Sequence, residues 1–215
     1  MMDPGTLVLF IPVILWALTF HELGHAWVAL RFGDPTARDL GRVSLNPLRH
    51  LDPFGTLMMF VAGFGWARPV PVDPRNLRDP LRDGLWIAAA GPGANLLSAI
   101  AAGLLLQALV RSNVLSGLLG GSGYAVSRLL ALAVQVNLSL AVFNLIPLHP
   151  LDGAAVLKGL VSERTAFSLA RLDPFGPMVL MLVLFAGRTS GLDLLGWVMT
   201  PVVGALRHLV SGGVL

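Results

Sequence analysis

The first apolar segment of the chain, residues 5–30, is interrupted by a short polar sequence, His21-Glu22-Leu23-Gly24-His25. At ~1.5 Å per residue, a helix of this length is long enough to cross a bilayer. Glu22 is the one charged residue of the segment. Because ionisable groups are costly inside a membrane, their presence in a span indicates a functional site.

The composition also indicates a membrane protein, because 55% of the residues are hydrophobic and 13% are charged, against about 25% charged in soluble domains. We therefore predict an all-α polytopic membrane protein whose partner is the lipid bilayer. Basic and aromatic residues are not interleaved, so we expect no nucleic-acid binding. The absence of cysteine excludes disulfides and thiolate metal ligands.

Three segments predict core transmembrane helices, and two shorter apolar runs predict one or two C-terminal helices. The core segments are 5–30, 85–110 and 129–146, and the shorter runs are 175–186 and 192–206. A mildly amphipathic stretch, 154–171, is expected at the membrane surface. We expect one domain covering residues 1–215, with its core in 5–160 and its C-terminal helices in 174–210.

The proline-rich region after the first helix predicts a small membrane-associated β-hairpin or re-entrant segment. Leu40–Leu45 and Ala67–Val72 are typical of short strands, although prolines in the second confine it to a sheet edge. Phe54–Trp66 is apolar but too short to span upright, which favours a re-entrant or interfacial position.

Topology is predicted from the basic residues, because cytoplasmic loops are enriched in Arg and Lys. Eight of the fifteen lie between Arg31 and Arg82, so this loop should be cytoplasmic and the N-terminus outside. His21, His25 and Asp152 then lie near the cytoplasmic face of a multi-pass plasma-membrane protein. The N-terminus has no basic n-region, so we expect the first segment to be retained.

His21 and His25 lie one turn apart on a helix, the spacing of two zinc ligands, and the adjacent Glu22 could serve as a general base. The alternative is two histidines packed by chance near a carboxylate. A catalytic zinc needs a third protein ligand, and Asp152 is the strongest candidate because it should lie at the same membrane depth. An ordinary helix-capping role for Asp152 is the alternative. Other candidates for the third ligand are His50, Glu163 and His208.

The two motifs His21–His25 and Asn144–Gly153 together resemble the site-2 protease family of intramembrane zinc metalloproteases. The resemblance covers about residues 15–160 and is that of a short bacterial-type member without a PDZ domain. Three further segments share it: Gly41–Pro47, His50–Thr56 and Ala90–Asn95.

This resemblance implies one catalytic Zn²⁺ held by His21, His25 and Asp152, with Glu22 as the general base. It also implies that Asn144 and Asn95 contact the substrate backbone or the oxyanion. His149 stands where members commonly carry proline. A spare ligand and a proton shuttle are the alternatives, but we interpret this difference as neutral, because Asp152 already completes the ligand set.

The resulting hypothesis is hydrolysis of peptide bonds in membrane-embedded substrates, such as single-span proteins or peptides, in regulated intramembrane proteolysis. A membrane metal-ion transporter is the leading alternative, and a catalytically silent membrane scaffold is another. A transporter would need polar groups through the whole membrane depth, whereas the second and third spans are nearly apolar.

Overall fold

The computed structural model describes residues 4–61, 65–112, 121–191 and 193–215, and these residues form helices but no strand. The predicted all-α class is thereby confirmed. Three long helices correspond to the predicted core spans: α1 (Pro4–Arg31), α4 (Pro80–Arg111) and α5 (Gly121–Asn144). The others are α2 (Thr36–Asp39), α3 (Pro53–Val61), α6 (Asp152–Leu160), α7 (Glu163–Ala170), α8 (Gly176–Ser190) and α9 (Leu194–Ser211).

Five helical segments in the described part of the chain are long and apolar enough to cross a membrane. They are Gly5–Arg31, Pro80–Arg111, Gly123–Asn144, Glu163–Gly187 and Leu194–Ser211. Large apolar side chains on them face outward, including Leu97 at 68% and Trp197 at 81% exposure. Large exposed apolar surfaces indicate contact with a membrane, so the chain is a multi-pass membrane protein.

Helix α4 packs against both α1 and α5. Gly24 of α1 permits a close approach, because a Cβ atom there would lie 2.7 Å from the carbonyl oxygen of Ala90 in α4. Small residues at helix contacts allow this packing in membranes. One buried cluster joins three of the packed helices, and its members are Ala99, Val134, Leu138 and Val203. Since Val203 belongs to α9, the predicted count of three core helices is not confirmed.

The direction of α9 follows from its contacts with α4. The side chain of Gln107, near the end of α4, donates a hydrogen bond of 2.8 Å to the carbonyl of Val210, near the end of α9. Both helices therefore end at the same end of the bundle. Helices α1 and α4 run in opposite directions, since His21 lies beside Asn95 and His25 beside Ile87, so α1 begins at that end. Thr6 of α1 contacts Arg128, in the first part of α5, so α5 also begins there, at what we call the N-terminal end.

Helix α8 begins at the opposite end of the bundle. A Cβ atom on Gly176, the first residue of α8, would overlap the backbone of His149, which follows α5. Since α9 finishes at the N-terminal end, α8 and α9 together carry the chain across the bundle once. Two complete crossings would have returned the chain to the end where α8 begins.

The predicted strands of the region after α1 are not confirmed in the described residues. Leu40–Leu45 forms a turn in which Gly41 has φ 70° and the amide of Arg42 donates to the carbonyl of Ala37. Ala67–Val72 makes a single isolated antiparallel bridge, between Ala67 and Leu51. Prolines at two alternate positions of this stretch remove the amide donors that a ladder needs.

The predicted re-entrant segment, Phe54–Trp66, coincides with α3 over its first eight residues, and residues 62–64 lie outside the described part of the chain. Helix α3 has nine residues and is too short to cross a membrane. Its depth in the bilayer therefore stays a prediction.

Asp34 ties the beginning of this region to its end. Its fully buried carboxylate accepts hydrogen bonds from the amide and hydroxyl of Thr36, the amide of Asp73 and the side-chain nitrogen of Asn76. Burial raises the pKa of Asp34, but these hydrogen bonds outweigh it and hold the pKa below its usual value. The ionised carboxylate therefore stabilises the chain segment that leads into α4.

Candidate metal centre

The two motif histidines lie on one face of α1, inside the bundle. His21 and His25 are 6% and 8% exposed, and their Nε2 atoms are 3.1 Å apart. The four-residue spacing places them one turn apart on the same face of the helix. The two imidazoles therefore present one nitrogen each to a common point.

The other nitrogen of each ring is held by α4. The Nδ1 atom of His25 lies 2.6 Å from the carbonyl oxygen of Ile87, and that of His21 lies 2.7 Å from Oδ1 of Asn95. A carbonyl can only accept, so Nδ1 of His25 carries the proton. Metal-binding histidines are oriented in this way, by donating the second ring nitrogen to a carbonyl or side-chain oxygen.

The orientation of Asn95 is fixed by its own contacts. Its Nδ2 donates to the carbonyl of Ala17 and to Oδ1 of Asn137, each at 2.9 Å. Oδ1 of Asn95 is therefore an acceptor, which places the proton of His21 on Nδ1 as well. Both Nε2 atoms are then unprotonated in the neutral histidines and point at each other.

Asp152 is brought to the histidines by the turn that follows α5. It is the first residue of α6, and its carboxylate oxygens lie 3.1 Å from Nε2 of His21 and 3.4 Å from Nε2 of His25. Leu151 takes the capping position of this helix, and no side chain caps it. The helix-capping alternative for Asp152 is therefore wrong.

The side chains of His21, His25 and Asp152 are suitably placed to bind one metal ion. The ligand atoms of His21, His25 and Asp152 all lie within 4.8 Å of one another. Oδ2 of Asp152 is buried and accepts no hydrogen bond from the described residues. Two unprotonated nitrogens and a carboxylate that converge in a buried space could together hold a cation. Two histidines and one carboxylate are also a donor set that catalytic zinc uses.

Two glycines make room for this arrangement. A Cβ atom on Gly91 of α4 would overlap the rings of His21 and His25. A Cβ atom on Gly153 would overlap the carbonyls of Leu145 and Ile146, so Gly153 permits the turn that aims Asp152 at the histidines. Ile87 and Gly91 were not predicted as site residues, because a backbone carbonyl and a missing side chain give no chemical signal in sequence.

Glu22 and Arg42 form a buried pair beside the histidines. Both residues are buried, and Nη2 of Arg42 lies 4.0 Å from Oε2 of Glu22. Glu22 therefore has a cation next to it even though it lies in an apolar segment. Sequence reasoning placed Arg42 only within a shared motif, and the pairing with Glu22 depends on the fold of the loop.

The remaining predicted residues lie outside the cluster of ligand atoms. Asn144 is partly buried, and its amide nitrogen donates to the carbonyl of Leu140 in its own helix. His149 is exposed. Nε2 of the buried His50 bonds to the carbonyl of Ser44 in the loop. Among the described residues, neither Glu163 nor His208 belongs to the cluster of His21, His25 and Asp152.

Comparison with known proteins places the chain in a family. The model of peptidase family M50 matches residues 9–186, which includes both motif segments and all three candidate ligands. YwhC of Bacillus subtilis, whose name describes it as a zinc metalloprotease, is 37% identical over 204 residues, covering 88% of this chain and 92% of its own.

Two proteins named Rip2 are also similar, and their names again describe zinc metalloproteases. The one from Mycobacterium tuberculosis is 32% identical over 201 residues, covering 90% of this chain and 71% of its own. The one from Mycolicibacterium smegmatis is 27% identical over 217 residues, with 97% and 79% covered. No solved structure matches the chain.

The chain therefore belongs to peptidase family M50, the site-2 protease family. The resemblance predicted from the two motifs is confirmed.

Proposed function

We propose that this protein is an intramembrane zinc metalloprotease of the site-2 type, which hydrolyses peptide bonds in membrane-embedded substrates. The observation that carries the proposal is the convergence of two histidines and one aspartate inside a bundle of apolar helices. The family match and the names of the relatives support the same enzyme class. The whole chain, residues 1–215, acts as one metalloprotease domain.

In this proposal His21, His25 and Asp152 hold one zinc ion. Zinc, when bound, supplies Lewis acidity that polarises the scissile carbonyl and promotes ionisation of water. Glu22 takes the proton of the attacking water and passes it to the leaving amine. The position of Glu22 next to His21 and its burial support this role, because a proton acceptor is needed beside the ligands.

We assign different roles to Asn95 and Asn144. Asn95 is fully buried and its side chain is engaged by His21, Ala17 and Asn137, which favours orientation of His21 over direct contact with substrate. Asn144 is partly buried, and its amide nitrogen bonds within its own helix. Its side-chain oxygen is a candidate contact for the substrate backbone.

The stretch Ala67–Val72 is a candidate edge for binding an unwound substrate by strand addition. Arg68 and Val70 each precede a proline, which restricts them to extended conformations. Within the described residues, the backbone amides of Val70 and Val72 make no hydrogen bond. A peptide substrate must lose its helical hydrogen bonds before cleavage, and these amides would replace some of them.

The orientation in the plasma membrane follows from the basic residues. The region between α1 and α4, which contains six arginines, adjoins the end of the bundle where Asp152 lies, so we assign this end to the cytoplasm. The N-terminal end is then outside. With α8 and α9 crossing once, the chain makes four crossings and both described ends lie outside.

A membrane metal transporter is not favoured. Transport needs polar groups along the whole crossing that can bind the passing ion. The side chains of Asn95 and Asn137 are instead engaged in hydrogen bonds, Asn95 with His21 and the two asparagines with each other. A catalytically silent scaffold does not explain a carboxylate adjacent to the ligands. Single-span membrane proteins or membrane-embedded peptides are the expected substrates.

The proposal is tested with purified protein in proteoliposomes. We expect about one zinc per chain and cleavage of a membrane-embedded reporter peptide, whereas Glu22→Gln should bind zinc but cleave at most about a thousandth as fast. Unchanged cleavage by Glu22→Gln would contradict the mechanism. Comparison of the membrane proteomes of wild-type and Glu22→Gln cells then identifies substrates as accumulated single-span proteins.

A further inference from the structure

Arg42 is a buried cation that joins separate parts of the chain. It is 5% exposed, and it follows the turn at Gly41. Its Nη1 atom donates to the carbonyl of Pro69 at 3.0 Å, and its Nη2 atom donates to the carbonyl of Arg68. The same Nη2 atom is the one that lies 4.0 Å from Glu22. One guanidinium therefore contacts both the candidate substrate-binding stretch and the candidate base.

Three other contacts hold the ends of this stretch. The amide of Arg68 donates to the carbonyl of His50 at 2.7 Å. At the other end, Val72 packs against the buried cluster that contains Ile87, and the amide of Asp73 donates to Asp34. Arg42 adds a further contact, to the carbonyls of Arg68 and Pro69, the second and third residues of the stretch.

We propose that Arg42 is a positioning residue that sets the register in which a peptide substrate pairs with Ala67–Val72 relative to Glu22. This inference rests on the proposed function of the site. Arg42 occupies the carbonyls of Arg68 and Pro69, and His50 occupies the amide of Arg68. Pro69 and Pro71 have no amide hydrogen. Among residues 68–72, the amides that make no hydrogen bond with the described residues are therefore those of Val70 and Val72, two residues apart.

A guanidinium suits this task better than an ammonium group. Its planar set of donors can bond two neighbouring carbonyls in fixed directions, whereas lysine offers a single flexible point charge. The guanidinium of Arg42 also lies beside Glu22. A shift of Ala67–Val72 along its own axis is therefore coupled to the position of the Glu22 carboxylate. Loss of Arg42 should let substrates pair in shifted registers and bring neighbouring peptide bonds to the zinc.

The test compares Arg42→Gln and Arg42→Lys with Arg49→Gln, an exposed arginine of the same loop, in zinc-loaded proteoliposomes. Mass spectrometry of the products gives the cleaved bond, and kinetics give KM and kcat separately. We expect Arg42→Gln to raise KM about tenfold or more and to cleave at neighbouring bonds, with unchanged zinc content. Arg42→Lys should lie between it and the wild type, and Arg49→Gln should match the wild type.

A second readout does not depend on cleavage. The chain has no cysteine, so a Val70→Cys variant can be labelled at one site. We expect its labelling rate to rise several-fold when Arg42→Gln is added, since Ala67–Val72 loses its hydrogen bonds with Arg42. A single wild-type cleavage bond with wild-type KM in Arg42→Gln, or in Arg42→Lys should the first variant not fold, would overturn the inference. Failure of the wild type to cleave would instead contradict the proposed function.

Discussion

His21 and Asn95 are 74 positions apart in sequence, yet Nδ1 of one lies 2.7 Å from Oδ1 of the other at the centre of the bundle. The asparagine is in turn fixed by Ala17 and Asn137. Packing of α1, α4 and α5 therefore determines which nitrogen of His21 is available to a metal. The affinity for zinc should depend on residues that do not touch the ion.

The first prediction concerns this contact. Asn95→Ala should lower zinc affinity by about 10- to 100-fold, because the acceptor that orients His21 is lost. Competition with a fluorescent chelator measures the change. Gln135→Ala is a suitable control, since Gln135 bonds to Ser139 in α5. Equal affinity in Asn95→Ala and the wild type would show that Asn95 does not orient the ligand.

The second prediction uses two neighbouring glycines of α4. Gly91→Ala should abolish zinc binding or weaken it at least 100-fold, because the methyl group overlaps both imidazoles and overpacking displaces side chains. Gly93→Ala should bind zinc normally, since its Cβ atom meets nothing within 4 Å. Zinc content after purification distinguishes the two variants. Similar zinc content in both would contradict the proposed ligand positions.

The third prediction concerns the pH dependence of stability. Since the pKa of Asp34 is lowered in the folded chain, its contribution is complete above the unfolded-state pKa of about 3.9 and is lost as pH falls through the folded-state pKa. Thermal unfolding in detergent should therefore show that Asp34→Asn destabilises the protein by about 1–3 kcal/mol at pH 7. The difference between variant and wild type should shrink below about pH 4.

A constant difference across this pH range would show that the carboxylate charge of Asp34 is not what stabilises the loop. Asp39→Asn provides a control, because Asp39 pairs with Arg38 at an exposed site, and exposed pairs contribute little.

The fourth prediction concerns topology. Four crossings place both ends of the chain on the same side of the membrane, and five would place them on opposite sides. Single cysteines at Thr6 and Val214 should therefore react with a membrane-impermeant reagent from the same side. Labelling of the two positions from opposite sides would show that α8 and α9 each cross the bilayer.

Much of the ligand set could be predicted from sequence, and much of the loop could not. His21 and His25 follow a local helical spacing, and Asp152 follows from a depth argument; the structure brings the three together. The strand predicted for Leu40–Leu45 is not confirmed, because alternation of side chains does not reveal the turn at Gly41. The place of α9 in the core depends on its direction relative to α4, which no local pattern encodes.

The hydrogen bond between His25 and Ile87 differs in kind from the one between His21 and Asn95, because its acceptor is a main-chain carbonyl. Every amino acid that position 87 can accommodate supplies the same oxygen. Substitutions at position 87 therefore preserve the hydrogen bond to Nδ1 of His25 as long as the backbone of α4 keeps its position. The orientation of one proposed zinc ligand, His21, thus depends on a side chain that mutation can remove, and that of the other, His25, on the path of the α4 backbone.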